Sequence, residues 1–178
     1  MAQTKARDLW VSWEQYHDLI EQLAVLLGQA DFKFDHLVCL ARGGLRIGDV
    51  LSRVFDVPLA ILATSSYRAG AGTERGALNI APSLTSTGGA LSGKVLLVDD
   101  LVDSGATFAE VLPYLRQAYP EITEIQTAVL WHKAGSAFCP DFAVSTLDAN
   151  PWIHQPFEAY DTLGIAKLTE KWHLKHQK

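Results

Sequence analysis

Cysteine is nearly absent: Cys39 and Cys139 are the only two in 178 residues. Two distant thiols form neither a disulfide framework nor a zinc ribbon, and they read as reduced side chains. Long apolar runs are also missing. Nothing approaches the roughly 18 residues a membrane-spanning helix needs. The first ten residues, Met1 to Trp10, lack the apolar stretch of a signal peptide, so the expected location is cytoplasmic. Surplus positive charge is lacking too: 15 Lys and Arg face 20 Asp and Glu, a net charge of −5. A chain without a basic field is not expected to take nucleic acid as its partner. Internal repeats and low-complexity tracts are absent, which excludes solenoids and disordered arrays.

What remains is ordinary globular composition, 48% hydrophobic and 20% charged. Its length suits one domain over 1–178. Residues 12–28 predict a helix: Ser12 and Gln15 have capping-box spacing, and Tyr16, Leu19, Ile20, Leu23, Leu26 and Leu27 follow helical periodicity, with Gly28 as the stop. His36–Ala41 reads as a buried strand, the apolar positions Ile47 to Phe55 as a helix, and Leu59–Ala63 as a second strand. Lys94–Val98 is the strongest strand signal, followed by a helix from Thr107 to Tyr119 that contains Pro113. Strands at 124–131 and 142–146 and a basic, amphipathic helix after Leu163 complete the pattern. Strands alternating with helices predict an α/β fold whose central, mainly parallel sheet has about five strands. The small-residue segment 65–93 is too long for a plain loop. It reads as a mobile flap, with two short strands near Ala77–Ile80.

The chemistry concentrates in residues 95–108, VLLVDDLVDSGATF. A buried strand delivers Asp99 and Asp100 to its C-terminal edge, where open parallel sheets bind ligands. The backbone N–H groups of Ser104 to Thr107 converge at a helix N-terminus and favour a phosphate monoester. The Ser104 and Thr107 hydroxyls add donors, and Gly105 allows positive φ or close approach of the phosphate. Asp99 and Asp100 suit ribose hydroxyls or a Mg²⁺ that accompanies them. A ribose 5-phosphate bearing a metal-bound leaving group meets all these demands.

This segment resembles the phosphoribosyl-pyrophosphate (PRPP) signature of type I phosphoribosyltransferases: an apolar run, two acids, two apolar residues, Asp, Thr or Ser, Gly, any residue, Thr. The resemblance implies PRPP contacts from Asp99, Asp100, Leu101, Val102, Asp103, Ser104, Gly105, Ala106 and Thr107, with Asp100 toward the metal. Arg42 and Gly43, in Ala41-Arg42-Gly43-Gly44-Leu45, follow the first strand where the family forms its pyrophosphate loop. Lys133, in Trp131-His132-Lys133, resembles the lysine that purine enzymes place against the exocyclic oxygen of the base. Pro151-Trp152-Ile153-His154-Gln155-Pro156-Phe157-Glu158 resembles the base-binding segment of bacterial xanthine-guanine phosphoribosyltransferases. There Trp152 would stack on the purine, and the backbone of Ile153 would read its edge. The flap offers Arg75 to PRPP, with Arg68 as the competing residue. His154 stands where the family has Glu, and Phe157 where it has a second Trp, which leaves the choice of purine open.

The resemblance implies the type I phosphoribosyltransferase fold, with a core over about 10–147 and a small base-covering hood over about 148–163. It implies Mg²⁺-dependent phosphoribosyl transfer from PRPP to guanine, xanthine or hypoxanthine. Asp103, Asp99 and Asp100 form the catalytic group, and Asp103 accepts the purine proton. A homodimer or homotetramer is expected. Transfer to another base, and a non-catalytic sensor of PRPP or a nucleotide, are the competing readings.

Overall fold

The computed structural model describes residues 8–66 and 78–176. Arg68 and Arg75 lie outside the described residues. The elements run β1 (Leu9–Trp10), α1 (Trp13–Gln29), β2 (His36–Ala41), α2 (Leu45–Phe55), β3 (Leu59–Ser66), β4 (Leu78–Ile80), β5 (Thr85–Ser86), β6 (Gly93–Val98), β7 (Leu101–Val102), α3 (Ala106–Ala118), β8 (Ile122–Lys133), β9 (Phe142–Leu147), β10 (Ile153–His154) and α4 (Ala159–His176). They form two compact units. The larger spans Leu19–Asn150, and the smaller takes the described parts of Met1–Asp18 and Pro151–Lys178.

In the larger unit β3, β2, β6, β8 and β9 lie side by side in parallel, and short β7 runs parallel to β8. β4 and β5 pair antiparallel with β3. The expected α/β sheet with five long parallel strands is present. Of the segment expected to be a flap, residues 78–80 pair with β3, and Leu91 is buried among the core side chains.

Continuous burial along Leu37–Leu40 and Val95–Val98 reflects a sheet covered on both faces. Alternate residues Val38, Leu40, Val95 and Leu97 share one cluster with Phe108, Val111 and Leu115, the buried stripe of α3. Each such side chain contributes about 1.5–3 kcal/mol by leaving water. Pro113 lies inside α3 rather than at its start. Both Pro113 and Ala109, whose carbonyl loses its helical partner, are exposed, so water can satisfy that carbonyl.

The capping box at α1 is formed in both directions. Gln15 N donates to Ser12 Oγ at 3.1 Å, and Ser12 N donates to Gln15 Oε1 at 2.9 Å. Gly28 does not stop α1, which continues to Gln29.

Cys39 is fully buried in β2, and Cys139 is exposed. Burial pushes the Cys39 thiol up to about 12 from its ordinary 9.0, with the nearby Asp99 charge adding to the rise and a backbone hydrogen bond opposing it. The unfolded chain therefore loses this proton first, and the contribution of Cys39 to stability falls as pH rises from about 9 toward 12. At pH 8 a thiol reagent should modify one cysteine in the native protein, Cys139, and two after denaturation. Two fast equivalents in the native state would contradict the burial of Cys39.

In the smaller unit β1 pairs in parallel with β10, Leu9 opposite Ile153. The hood expected over about 148–163 does not include Leu9–Trp10, which the structure pairs with Ile153–His154. The unit takes an N-terminal strand because Leu9 N and Val11 N donate to the Trp152 and His154 carbonyls at 2.8 and 3.0 Å. His154 holds the same strand through its side chain. Its Nε2 lies 3.1 Å from Asp8 Oδ2, and its ring stacks on Trp10 at 3.7 Å.

Candidate functional site

Adjacent β2 and β6 end at the same edge of the larger unit's sheet, Cys39 pairing with Val98. The turn Arg42–Gly43–Gly44 leaves β2 there, and Asp99–Asp100 leaves β6. The Ala41–Arg42 peptide is cis. Gly44 N donates to Leu40 O at 2.8 Å and Leu45 N to Arg42 O at 3.2 Å, which folds the turn into the start of α2. A Cβ on Gly43 would lie 2.6 Å from one carboxylate oxygen of Asp99 and 2.6 Å from one of Asp100. Gly43 therefore lets a backbone turn close onto a pair of acids.

The acids are held from behind. Leu130 N and Trp131 N both donate to Asp100 O at 3.1 Å, and Asp99 N donates to Ala128 O at 3.2 Å, fixing them to β8. Asp100 N also donates to Asp99 Oδ1 at 2.9 Å. Burial holds the Asp99 carboxyl well above the usual carboxylate range. The Asp100 charge adds to that, and backbone hydrogen bonds from Asp100 and Gly44 partly offset it. The pair thus carries less negative charge than two solvated carboxylates.

After the two-residue strand β7 comes Asp103-Ser104-Gly105, and α3 starts at Ala106 with Gly105 as its N-cap at φ +87°. Gly105 offers no capping side chain and the first turn of α3 has no acidic residue. Ala106 N donates to Ser104 Oγ at 3.4 Å, and the first N–H groups of α3 have no intrahelical acceptor, an arrangement that favours an anion. From the sequence, Gly105 is expected to serve positive φ or close approach of a phosphate. Its φ is positive, but a Cβ would strike Phe138 and Ser136 of the loop after β8, so part of the demand for glycine comes from the protein itself.

Lys133 ends β8 with a side chain only 12% exposed, and its Nζ lies 3.1 Å from Asp103 Oδ1. β7 and β8 bring them together, because Leu101 pairs with Trp131 and Val102 with His132. An ammonium donor and a carboxylate acceptor thus stand side by side near the N-terminus of α3.

Trp152 and Ile153 belong to the smaller unit. Trp152 is 61% exposed, and Ile153 is buried in β10. The Trp152 and His154 carbonyls point to β1, so strand alternation turns the N–H and C=O of Ile153 away from it. Two features carry no signal in the sequence: the strand pairing that fixes Ile153, and the contact of Phe138 and Ser136 with Gly105. Phe138 sits in an aperiodic run, Ala-Gly-Ser-Ala-Phe-Cys-Pro, which gives no positional signal.

The model of the phosphoribosyl transferase domain matches residues 12–162. A xanthine-guanine phosphoribosyltransferase from Idiomarina loihiensis is 29% identical over 155 residues, covering 86% of this chain and 89% of that protein. A crystal structure of a purine phosphoribosyltransferase from Pyrococcus horikoshii has a TM-score of 0.70 at 27% identity, covering 85% of this chain and 94% of that one. A hypothetical protein from Neisseria gonorrhoeae with bound ppGpp shares the fold at a TM-score of 0.66 and 21% identity, covering 98% of this chain and 100% of that one. With the domain matched from the capping box of α1 into the first turn of α4, the chain belongs to the phosphoribosyltransferase family.

Proposed function

We propose that this protein transfers the 5-phosphoribosyl group of PRPP to a 6-oxopurine (guanine, xanthine or hypoxanthine) and releases the nucleoside 5′-monophosphate and pyrophosphate. The observation that carries this reading is the Lys133–Asp103 pair at 3.1 Å. A 6-oxopurine presents O6 and N7 on one edge. The Lys133 ammonium donates to O6, and the Asp103 carboxylate takes the proton from N7. Adenine presents an amino group where the ammonium needs an acceptor, so it fits poorly. The N–H groups and hydroxyls from Ser104 to Thr107 hold the 5-phosphate. Leu101 and Val102, as β7, set the distance between Asp100 and Asp103. Arg42 and the Gly43 backbone face the pyrophosphate, and Asp99 and Asp100 hold the ribose hydroxyls. Catalysis is then mainly positioning and electrostatics at the anomeric carbon.

The donor set fits Mg²⁺. Among the described residues no group of three His, Cys, Asp or Glu could hold a metal ion, while Asp99 and Asp100 offer two adjacent carboxylates. Magnesium needs no all-protein cage, since it binds through one or two carboxylates and substrate phosphates. Bound through Asp100, it would neutralise charge on the leaving pyrophosphate.

The test is incubation with PRPP, Mg²⁺ and one base at a time: guanine, xanthine, hypoxanthine, adenine or uracil. Nucleotide and pyrophosphate are then measured. Turnover confined to 6-oxopurines supports the reading. Turnover of uracil or adenine alone replaces it with transfer to another base. PRPP binding without turnover of any base replaces it with a nucleotide-sensing regulator.

The same protein is proposed to act as a homo-oligomer, on the strength of α4. A non-helical residue, Gly164, interrupts α4, and every described residue from Gly164 to His176 is exposed. A water-surrounded helix that short is marginal on its own. Ile165, Leu168 and Trp172 form a narrow seam at i, i+3 and i+7, and Lys167, Lys171 and Lys175 form a row beside it. Helix α1 exposes a complementary row, Glu14, Asp18 and Glu21, followed by Val25. Docking of α4 on α1 of a second copy covers the seam and pairs the rows. Trp172→Glu should shift the mass in light scattering toward the monomer, and an unchanged mass would remove α4 from the interface.

A further inference from the structure

We infer that Phe138 is a positioning residue for the phosphate loop, and that the turn after β8 braces this loop against the strand end that carries Lys133. The inference rests on the proposed PRPP reading, and all its contacts lie within the larger unit. Gly105 takes φ +87° as N-cap of α3. The space its Cβ would occupy holds the Phe138 Cβ, the Phe138 backbone N at 2.8 Å and the Ser136 hydroxyl at 2.8 Å. Above this contact the Phe138 ring stacks on Phe108 at 5.0 Å, the planes 7° apart. Phe108 is the third residue of α3 and 1% exposed. The aromatic pair therefore pins the first helical turn, whose N–H groups would face the 5-phosphate.

The backbone repeats the connection. Ala137 N donates to Ser104 O at 3.2 Å, on the other side of Gly105. Phe138 N donates to Ser136 Oγ at 3.1 Å, and Ser136 N donates to Lys133 O at 2.8 Å. A continuous path runs from Lys133, opposite the base, through the turn to Ser104 and α3, opposite the phosphate. Such a brace matters because donors that must converge on an anion bind best when already in place. Ordering them at binding spends part of the binding free energy. Phe138 acts only through Gly105 and Phe108 and needs no contact with substrate.

The experiment separates the two anion sites of the full-length protein. Calorimetry with ribose 5-phosphate reads the phosphate loop, and calorimetry with Mg²⁺-pyrophosphate reads the Arg42–Gly43 turn. Phe138→Ala should weaken ribose 5-phosphate about tenfold or more and leave pyrophosphate within about twofold, where a tenfold change is 1.4 kcal/mol. In steady state KM for PRPP should rise more than KM for the base. Phe138→Leu, which keeps apolar volume over Phe108, should fall between. It also carries the test if the alanine variant fails to fold. Equal loss of both ligands would mean general loosening and would overturn the inference, as would no loss of either. A wild-type protein that binds neither ligand would overturn the phosphoribosyl reading and this inference with it. Selective failure of Phe138→Ala to show the difference, in a wild type that binds both, would overturn this inference alone.

Discussion

Asp103→Asn should lower turnover by about 10²–10⁴-fold, the usual worth of a positioned general base, and leave PRPP affinity within a few-fold. The substitution keeps shape and keeps a carbonyl oxygen within reach of Lys133 Nζ, 3.1 Å away in the native pair. It removes the charge and the capacity to take a proton. The substitution leaves in place the brace on Ser104 and Gly105 from Ala137, Ser136 and Phe138. The loss should therefore appear in kcat, with KM for PRPP little changed. Lys133→Met gives the complementary result. It leaves the base in place but removes the donor to O6, so discrimination between hypoxanthine and adenine should collapse. Turnover of Asp103→Asn within a few-fold of wild type would show that the purine proton goes elsewhere.

The strand ends were legible because several demands fall on contiguous residues there. Val95–Val98 is an apolar run that stops at two acids, as the end of a buried parallel strand does. The capping box of α1 was legible because both partners lie within one turn. What was not legible depends on residues far apart in the chain. A two-residue strand such as Leu9–Trp10 has no periodicity, and its partner Ile153–His154 is an equally short segment between Pro151 and Pro156. Gly28 looked like a helix stop because glycine is common there, yet α1 runs one residue further. Gly105 announced an unusual backbone but not the cause, since the side chains that crowd it belong to a turn with no pattern of its own. The signature thus exposes which residues face the ligand, while tertiary contact decides what holds them in place.

Adjacent glycines in the turn after β2 should separate those two roles sharply. A Cβ on Gly44 would stand 2.5 Å from Val98 O, 3.0 Å from Leu40 O and 3.1 Å from Leu40 N. All three atoms are backbone of the central strands, and none can withdraw without breaking the β2–β6 ladder. Gly44→Ala should destabilise the fold by about 3 kcal/mol or more, at the upper end of what overpacking costs. Denaturant unfolding measures this directly. A Cβ on Gly43 meets carboxylate oxygens of Asp99 and Asp100 instead. Those side-chain ends can rotate away, so Gly43→Ala should melt within a few degrees of wild type. The displaced acids no longer present the surface on which ribose and metal are proposed to sit. PRPP affinity should fall by about tenfold or more, equivalent to 1.4 kcal/mol at least. Both variants losing stability alike would make the turn a packing device. A Gly43→Ala protein that binds PRPP normally would remove the Asp99–Asp100 pair from the binding site.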